Sequence, residues 1–265
     1  LMSKSASFGD VLTGGVYHYF ADGTYRASAS GKLIDVRNPV DGSVLGSTQA
    51  VTRDEVDAVI ASAWRQFPCW RDTPLRERAE LLHRAARIME READALSEIL
   101  CDEIAKPIKS AREEIVRTAE IFDFTAEDAL RLEGETKFSD VFAQQKRDKI
   151  SLSYRVPLGV VLAIGPFNYP FNLTGTKIAP ALVAGNACVV KPPSAGAMTC
   201  LYFGAIMREA GLPPGVLSIV TGKGEEIGDY IVAHPGISMI AFTGSSSTAR
   251  RIASAPCAWA ATVKP

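Results

Sequence analysis

The 265-residue chain is 47% apolar and 22% charged, a composition that excludes extended disorder and a fibrous structure. Its net charge of −1 provides no basic field for nucleic acid or an anionic membrane surface, and no run of about 18 uninterrupted apolar residues marks a membrane span. Five cysteines, Cys69, Cys101, Cys188, Cys200 and Cys257, stand in no paired spacing, which points to reduced thiols in a cytoplasmic setting, without a disulfide framework or a zinc site.

Residues 1–50 are rich in Gly, Ser and Asp, with short β-like pieces such as Lys32 to Val36 near turns at Asn38-Pro39 and Asp41-Gly42. An irregular surface arm is expected there. Thr52 and Glu55 have the spacing of a capping box and predict a helix through Phe67. Thr73-Pro74 predicts the start of a second helix, with Leu75, Ala79, Leu82, Ala86 and Met89 on one stripe. Pro107 opens a long helical pattern through Ile115, Ala119, Phe122, Ala126 and Leu130, with Gly134 as its expected cap. Residues 135–157 then change character. Ile150 to Arg155 alternates at period two, the mark of a half-exposed strand or hairpin.

From Leu158 the pattern is βαβα. Apolar strands are predicted at Leu158–Ile164, Ala187–Val190, Val216–Val220 and Ile237–Phe242, separated by helix-length segments. Near-continuous apolar runs of this kind belong in a parallel sheet covered on both faces. The fold class expected is therefore α/β, a Rossmann-like sheet preceded by helices.

Chemistry-bearing residues fall at the predicted strand ends. The first strand is followed by Gly165-Pro166-Phe167-Asn168-Tyr169-Pro170, which puts the Asn168 amide at a sheet edge, where it can donate to an oxyanion forming on a carbonyl carbon. Lys191-Pro192-Pro193-Ser194 ends the second strand; a cation and a hydroxyl there, in place of the acid that grips an adenosine ribose, favour a 2′-phosphate. The competing reading of Lys191 is a solvated charge at a helix start. After the third strand, Gly222-x-Gly224-x-x-x-Gly228 misses the dinucleotide spacing by one residue, so a plain tight turn competes with a phosphate turn. Thr243-Gly244-Ser245 ends the fourth strand and opens a helix whose first N–H groups suit a pyrophosphate. His18, His83 and His234 are too scattered to form a metal set, and no metal site is expected.

These motifs, in this order with Val156-Pro157-Leu158-Gly159-Val160-Val161, Ala179-Pro180-Ala181-Leu182, Ala184-Gly185-Asn186, Gly211-Leu212-Pro213-Pro214-Gly215 and Phe242-Thr243-Gly244-Ser245, resemble the aldehyde dehydrogenase superfamily. Within it, Tyr169, Ser194, the run Gly222 to Asp229 and Arg117-Thr118-Ala119-Glu120 resemble the NADP-dependent non-phosphorylating glyceraldehyde-3-phosphate dehydrogenases. The resemblance spans residues 33–254. It implies NADP as coenzyme, contacted by Lys191, Ser194, Gly224, Gly244, Ser245, Gly165 and Asp229; a surface residue on its helix is the competing reading of Asp229. It also implies an aldehyde substrate, bound by Arg117, Asn168 and Tyr169, with Asn168 as the catalytic oxyanion donor. An i,i+3 ion pair with Glu114 or Glu120 is the competing reading of Arg117. A succinate-semialdehyde or lactaldehyde enzyme would share most of these motifs.

The resemblance further implies a division into residues 1–134 (arm and helices), 135–157 (an oligomerisation arm of a homo-oligomer) and 158–265 (the nucleotide-binding part). Beyond Ser254 it fades. Where the superfamily carries its general-base Glu in a Glu-Leu-Gly-Gly run, this sequence reads Cys257-Ala258-Trp259-Ala260-Ala261-Thr262-Val263-Lys264-Pro265. Base, nucleophilic Cys and catalytic domain are thus expected to be missing, Cys257 lacks the nucleophile's flanking residues, and the chain alone is expected to be inactive. A non-catalytic nucleotide-binding or subunit-interaction module is the alternative.

Overall fold

The computed structural model describes residues 8–141, 144, 146–255 and 263–264; Cys257 lies outside the described residues. Six short strands come first: β1 Leu12–Thr13, β2 Val16–Tyr17, β3 Tyr19–Ala21, β4 Thr24–Arg26, β5 Leu33–Arg37 and β6 Val44–Gln49. Helices α1 Arg53–Asp72, α2 Leu75–Arg91, α3 Ala93–Ile104 and α4 Ile108–Ala129 follow, then the hairpin strands β7 Glu135–Phe138 and β8 Ile150–Ser153. The remainder alternates: β9 Val160–Ile164, α5 Pro170–Val183, β10 Ala187–Lys191, α6 Ala197–Glu209, β11 Leu217–Ile219, α7 Asp229–Val232, β12 Met239–Phe242, α8 Ser246–Ala253 and β13 Val263–Lys264.

Seven strands form the main sheet in the order β13-β12-β9-β10-β11-β3-β4. The first five are parallel, β3 runs antiparallel to β11, and β4 runs antiparallel to β3. Successive residues of β9 and β10 serve opposite cores. Val161, Ala163, Cys188 and Val190 face one core with α2 to α6, while Val160, Leu162, Ala187 and Val189 face the other with α1, α7 and α8. Burial on both faces is why these strands read as apolar runs. On the first face Phe171 of α5 stacks on Phe203 of α6 at 4.1 Å between ring centres, with Phe122 of α4 behind. All three rings are fully buried, each contributing about 2 kcal/mol by removal from water.

Three local expectations are revised. The segment before residue 50 is not simply a surface arm, because Tyr19, Phe20 and Ala21 are buried and β3 pairs with β11; β1, β2, β6 and β5 make a separate four-stranded sheet. Thr52 and Glu55 form both hydrogen bonds of the capping box, but α1 continues past Phe67 to Asp72 with Pro68 inside it. Gly134 is not the cap of α4, which ends at Ala129 with Leu130 as its C-cap. A Cβ on Gly134 would lie 2.1 Å from the Ser153 carbonyl oxygen, so its place is the close approach that opens the β7–β8 hairpin.

Candidate functional site

Strand order reverses between β9 and β12, so the chain leaves the middle of the sheet in both directions and opens a crevice at the carboxyl ends of the strands. Four helices begin along that edge, each presenting unpaired N–H groups. Two of them are satisfied by the protein's own carboxylates. Glu103, at the end of α3 and fully buried, accepts from the backbone of Gly196, Met198 and Thr199 and from the Thr199 hydroxyl, at 2.7–3.0 Å. Burial pushes its carboxyl above the ordinary glutamate value against the pull of these donors. Glu114 of α4, also buried, accepts from Phe171 and Asn172 at the start of α5, both at 3.0 Å. The N-termini of α5 and α6 are therefore closed to an added anion. On the other side of the edge α8 carries only a hydroxyl cap, Ser245 accepting from the Thr248 amide at 3.2 Å, and the turn Gly222–Gly228 leads into α7 through one π-helical turn.

Asn168 is exposed in the turn after β9, and its side-chain amide has no hydrogen-bond partner among the described residues. Gly165 starts that turn; a Cβ there would lie 2.2 Å from the Thr174 hydroxyl, so packing against α5 requires glycine. Tyr169, half exposed, lies under the Lys106 ammonium, 3.6 Å from the ring centre. Arg117 is exposed on α4 and forms no ion pair among the described residues. Glu114 is turned inward to Lys106, so the ion pair offered as the competing reading of Arg117 is not made among the described residues.

Lys191 is 7% exposed and its ammonium donates to one acceptor among the described residues, the Pro192 carbonyl at 3.0 Å. Burial pushes its pKa down to about 8. The reading as a solvated charge is overturned, since β10 ends below the surface of the edge. Ser194 is exposed and shares a small hollow with Thr221 and Gly222, walled by Ile34 and Thr48 of the four-stranded sheet. The structure thus brings the second and third strand ends together. Asp229 is exposed and paired with Arg251 of α8.

Sequence reasoning missed Glu103, Lys106 and Lys177, and it named Glu114 only as a partner for Arg117, not as the acceptor at the start of α5. Lys177 of α5 donates to the Leu173 carbonyl at 2.7 Å and to the Thr243 hydroxyl at 2.8 Å, tying α5 to the end of β12, and burial pushes its pKa down to about 8. It lines a groove of about 770 Å³ together with Met239 and Ala241. Each of these residues acts on a partner far along the chain, which local motifs do not reveal. Among the described residues no cluster of His, Cys, Asp and Glu suits a metal ion, and no helix is long and apolar enough to cross a membrane.

A profile of the family described as "Aldehyde dehydrogenase family" matches residues 25–265. The NADP-dependent glyceraldehyde-3-phosphate dehydrogenase of Triticum aestivum is 48% identical over 248 residues, 93% of this chain and 50% of that protein. The D-glyceraldehyde dehydrogenase (NADP(+)) of Thermoplasma acidophilum is 39% identical over 88% of this chain and 46% of its own length. Among solved structures, the NADP complex of the NADP-dependent glyceraldehyde-3-phosphate dehydrogenase from Bacillus halodurans superposes with a TM-score of 0.87 at 42% identity, covering 93% of this chain and 51% of that one. The chain spans about half the length of the curated relatives it matches.

Proposed function

The chain belongs to the aldehyde dehydrogenase family, and from that premise we propose that it is the coenzyme-binding portion of an NADP-dependent enzyme that oxidises glyceraldehyde 3-phosphate to its acid without phosphorylation. The observation that carries this reading is Lys191, an ammonium nine-tenths buried with donors to spare. That ammonium and, three positions on, the exposed Ser194 hydroxyl would suit a 2′-phosphate, which supplies charge and acceptors together. The names of relatives at 44–48% identity support both coenzyme and aldehyde.

NADP supplies the hydride acceptor when bound. In this reading Lys191 and Ser194 hold the 2′-phosphate, while Gly224, Gly244 and Ser245 let the pyrophosphate approach exposed N–H groups at the turns into α7 and α8. Gly165 fixes the turn and Asp229 steadies α7 against α8. Asn168 donates its side-chain N–H to the oxyanion that develops on the aldehyde carbon. Arg117 and the Tyr169 hydroxyl take the substrate phosphate, a task suited to the planar guanidinium fork. The β7–β8 hairpin, with Leu152 72% exposed and Ile150 and Tyr154 also outside the core, is the arm through which the full-length form joins a second copy.

No described cysteine suits the nucleophile. Cys188 and Cys200 are buried, the first pushed up to about 12 and the second well above the ordinary thiol value, while the thiols of Cys69 and Cys101 are hydrogen-bonded to no described base that would activate them. The purified chain is accordingly expected to form no NADPH from glyceraldehyde 3-phosphate. NADPH formation that disappears on replacing one cysteine would reject that expectation. Calorimetric titration with NADP and NAD tests the coenzyme; equal affinities would reject the placement of the 2′-phosphate on Lys191.

A further inference from the structure

We infer that Lys106 is the positioning residue of the Asn168–Tyr169 turn, an assignment that rests on the proposed role of Asn168. Lys106 follows Ala105, which adopts a left-handed conformation (φ 54°) at the end of α3, and this bend carries its side chain across to the end of β9. There the ammonium meets three groups: the Glu114 carboxylate, the Asn168 backbone carbonyl at 2.9 Å, and the face of Tyr169 at 3.6 Å from the ring centre.

An ammonium has three N–H donors. Carboxylate, carbonyl and ring face engage all of them, and the side chain is only 11% exposed. Lys106 therefore has nothing left to offer a ligand, which excludes it as a substrate-binding cation. What it does is join. Glu114 also accepts from the Phe171 and Asn172 amides, and Asn172 donates to the Thr118 hydroxyl one turn further along α4 at 3.2 Å. The pair thus grips the turn from both sides: backbone of Asn168 and ring of Tyr169 through the lysine, first amides of α5 through the glutamate. The Asn168 side chain is left unengaged while the backbone that aims it is held. That is the arrangement a preorganised oxyanion donor requires. Simple capping of α5 by Glu114 would need no ammonium at the Asn168 carbonyl or over the Tyr169 ring.

The test is nitrogen-15 relaxation on the 265-residue chain without coenzyme or substrate. In the unmodified chain the Asn168 and Tyr169 amides are expected to be as ordered as α5, with order parameters near about 0.85, and in Lys106→Met to fall below about 0.6. The Asn168 side-chain amide resonances shift at the same time, the amides of α5 do not, and Lys106→Arg restores both. Because Lys106→Met leaves Glu114 buried without its cation, the neutral double variant Lys106→Met/Glu114→Gln, which keeps an acceptor for Phe171 and Asn172, serves as the second reading. An unchanged turn in either variant overturns the assignment. So does loss of order spread evenly along α5, which would reduce the pair to a helix cap. Since the readout is the turn alone, its outcome is separate from that of Asn168→Ala on the turnover of a full-length form, which would test the catalytic role by an expected fall in kcat of about 100-fold.

Discussion

The carboxyl edge of the main sheet is two different surfaces. At α5 and α6 the helix N-termini are filled from within by Glu114 and Glu103, whereas at the turns into α7 and α8 no described carboxylate accepts from the first amides: Glu225 and Glu226 are exposed in the first of these turns, and a serine hydroxyl caps the second. A carboxylate and a phosphate answer the same need at a helix start. Where the chain has supplied its own anion the edge is structural, and where it has not, the edge is ready for a ligand. Lys191 stands at the border, buried like the first group but under-satisfied like the second.

Removing an internal anion should produce the largest effect. Glu103→Ala strands three buried amides and a hydroxyl, and is expected to cost about 4 kcal/mol or more, read as the urea midpoint of the full chain. A cost below about 1 kcal/mol would erase the distinction between the two surfaces. Next comes the pH dependence of stability through Lys191. Its pKa in the fold is about 8, below the ordinary lysine value of 10.5, so the folded chain disfavours the charged form. That penalty is complete below pH 8 and is relieved as pH rises from 8 towards 10.5, the opposite of a stabilising ion pair. Lys191→Met should therefore stabilise the coenzyme-free chain at pH 7, by up to about 3 kcal/mol, with the gain fading towards pH 10.5. Thermal melts across that range decide it, and a loss of stability at pH 7 would show that the ammonium is already satisfied.

The ligand-ready surface was legible because its signals are local. Glycine turns, Lys191 and Ser194 each sit within a few residues of a strand end, and strand ends follow from apolar runs. The filled surface was illegible for the opposite reason: Glu103 acts on Thr199 and Glu114 on Asn172, partners brought close only by the packing of α3 and α4 on α5 and α6. The addition of β3 to the sheet was hidden likewise, since Tyr19-Phe20-Ala21 is too short to announce a strand and pairs with β11 some two hundred residues later. Helix α3 had no signal of its own either, having neither a side-chain cap nor a breaker between it and α2.

A smaller effect separates the two coenzymes. If the Lys191 ammonium and the Ser194 hydroxyl meet the 2′-phosphate, replacing both with Ala should remove about 1–3 kcal/mol of preference for NADP and leave NAD affinity nearly unchanged, because the glycine turns contact only the shared pyrophosphate. The pH dependence follows from the same lysine. Pairing with phosphate favours the charged form, so NADP binding should take up a proton above pH 8, and NADP affinity should fall from there by up to about tenfold per pH unit while that of NAD does not. Calorimetry in buffers of different ionisation heat measures both. A preference that survives the double substitution would move the phosphate elsewhere.

The smallest expected effect is the most discriminating, because it asks why a glycine is glycine. At Gly165 the fold gives the answer, since an added Cβ would collide with Thr174. At Gly224 the fold gives none: an added Cβ meets nothing within 4 Å, and φ is not positive. Gly224→Ala is therefore expected to leave the fold intact and to raise stability by about 0.5 kcal/mol, since alanine narrows the unfolded ensemble at a compatible position. If the pyrophosphate approaches this turn, the same methyl group occupies the space it needs, and the affinities for NADP and NAD should fall together. Loss of affinity with a small gain in stability would mark Gly224 as a ligand glycine. Unchanged affinity for both coenzymes would place the pyrophosphate at α8 alone, where Gly244 and Ser245 remain to receive it.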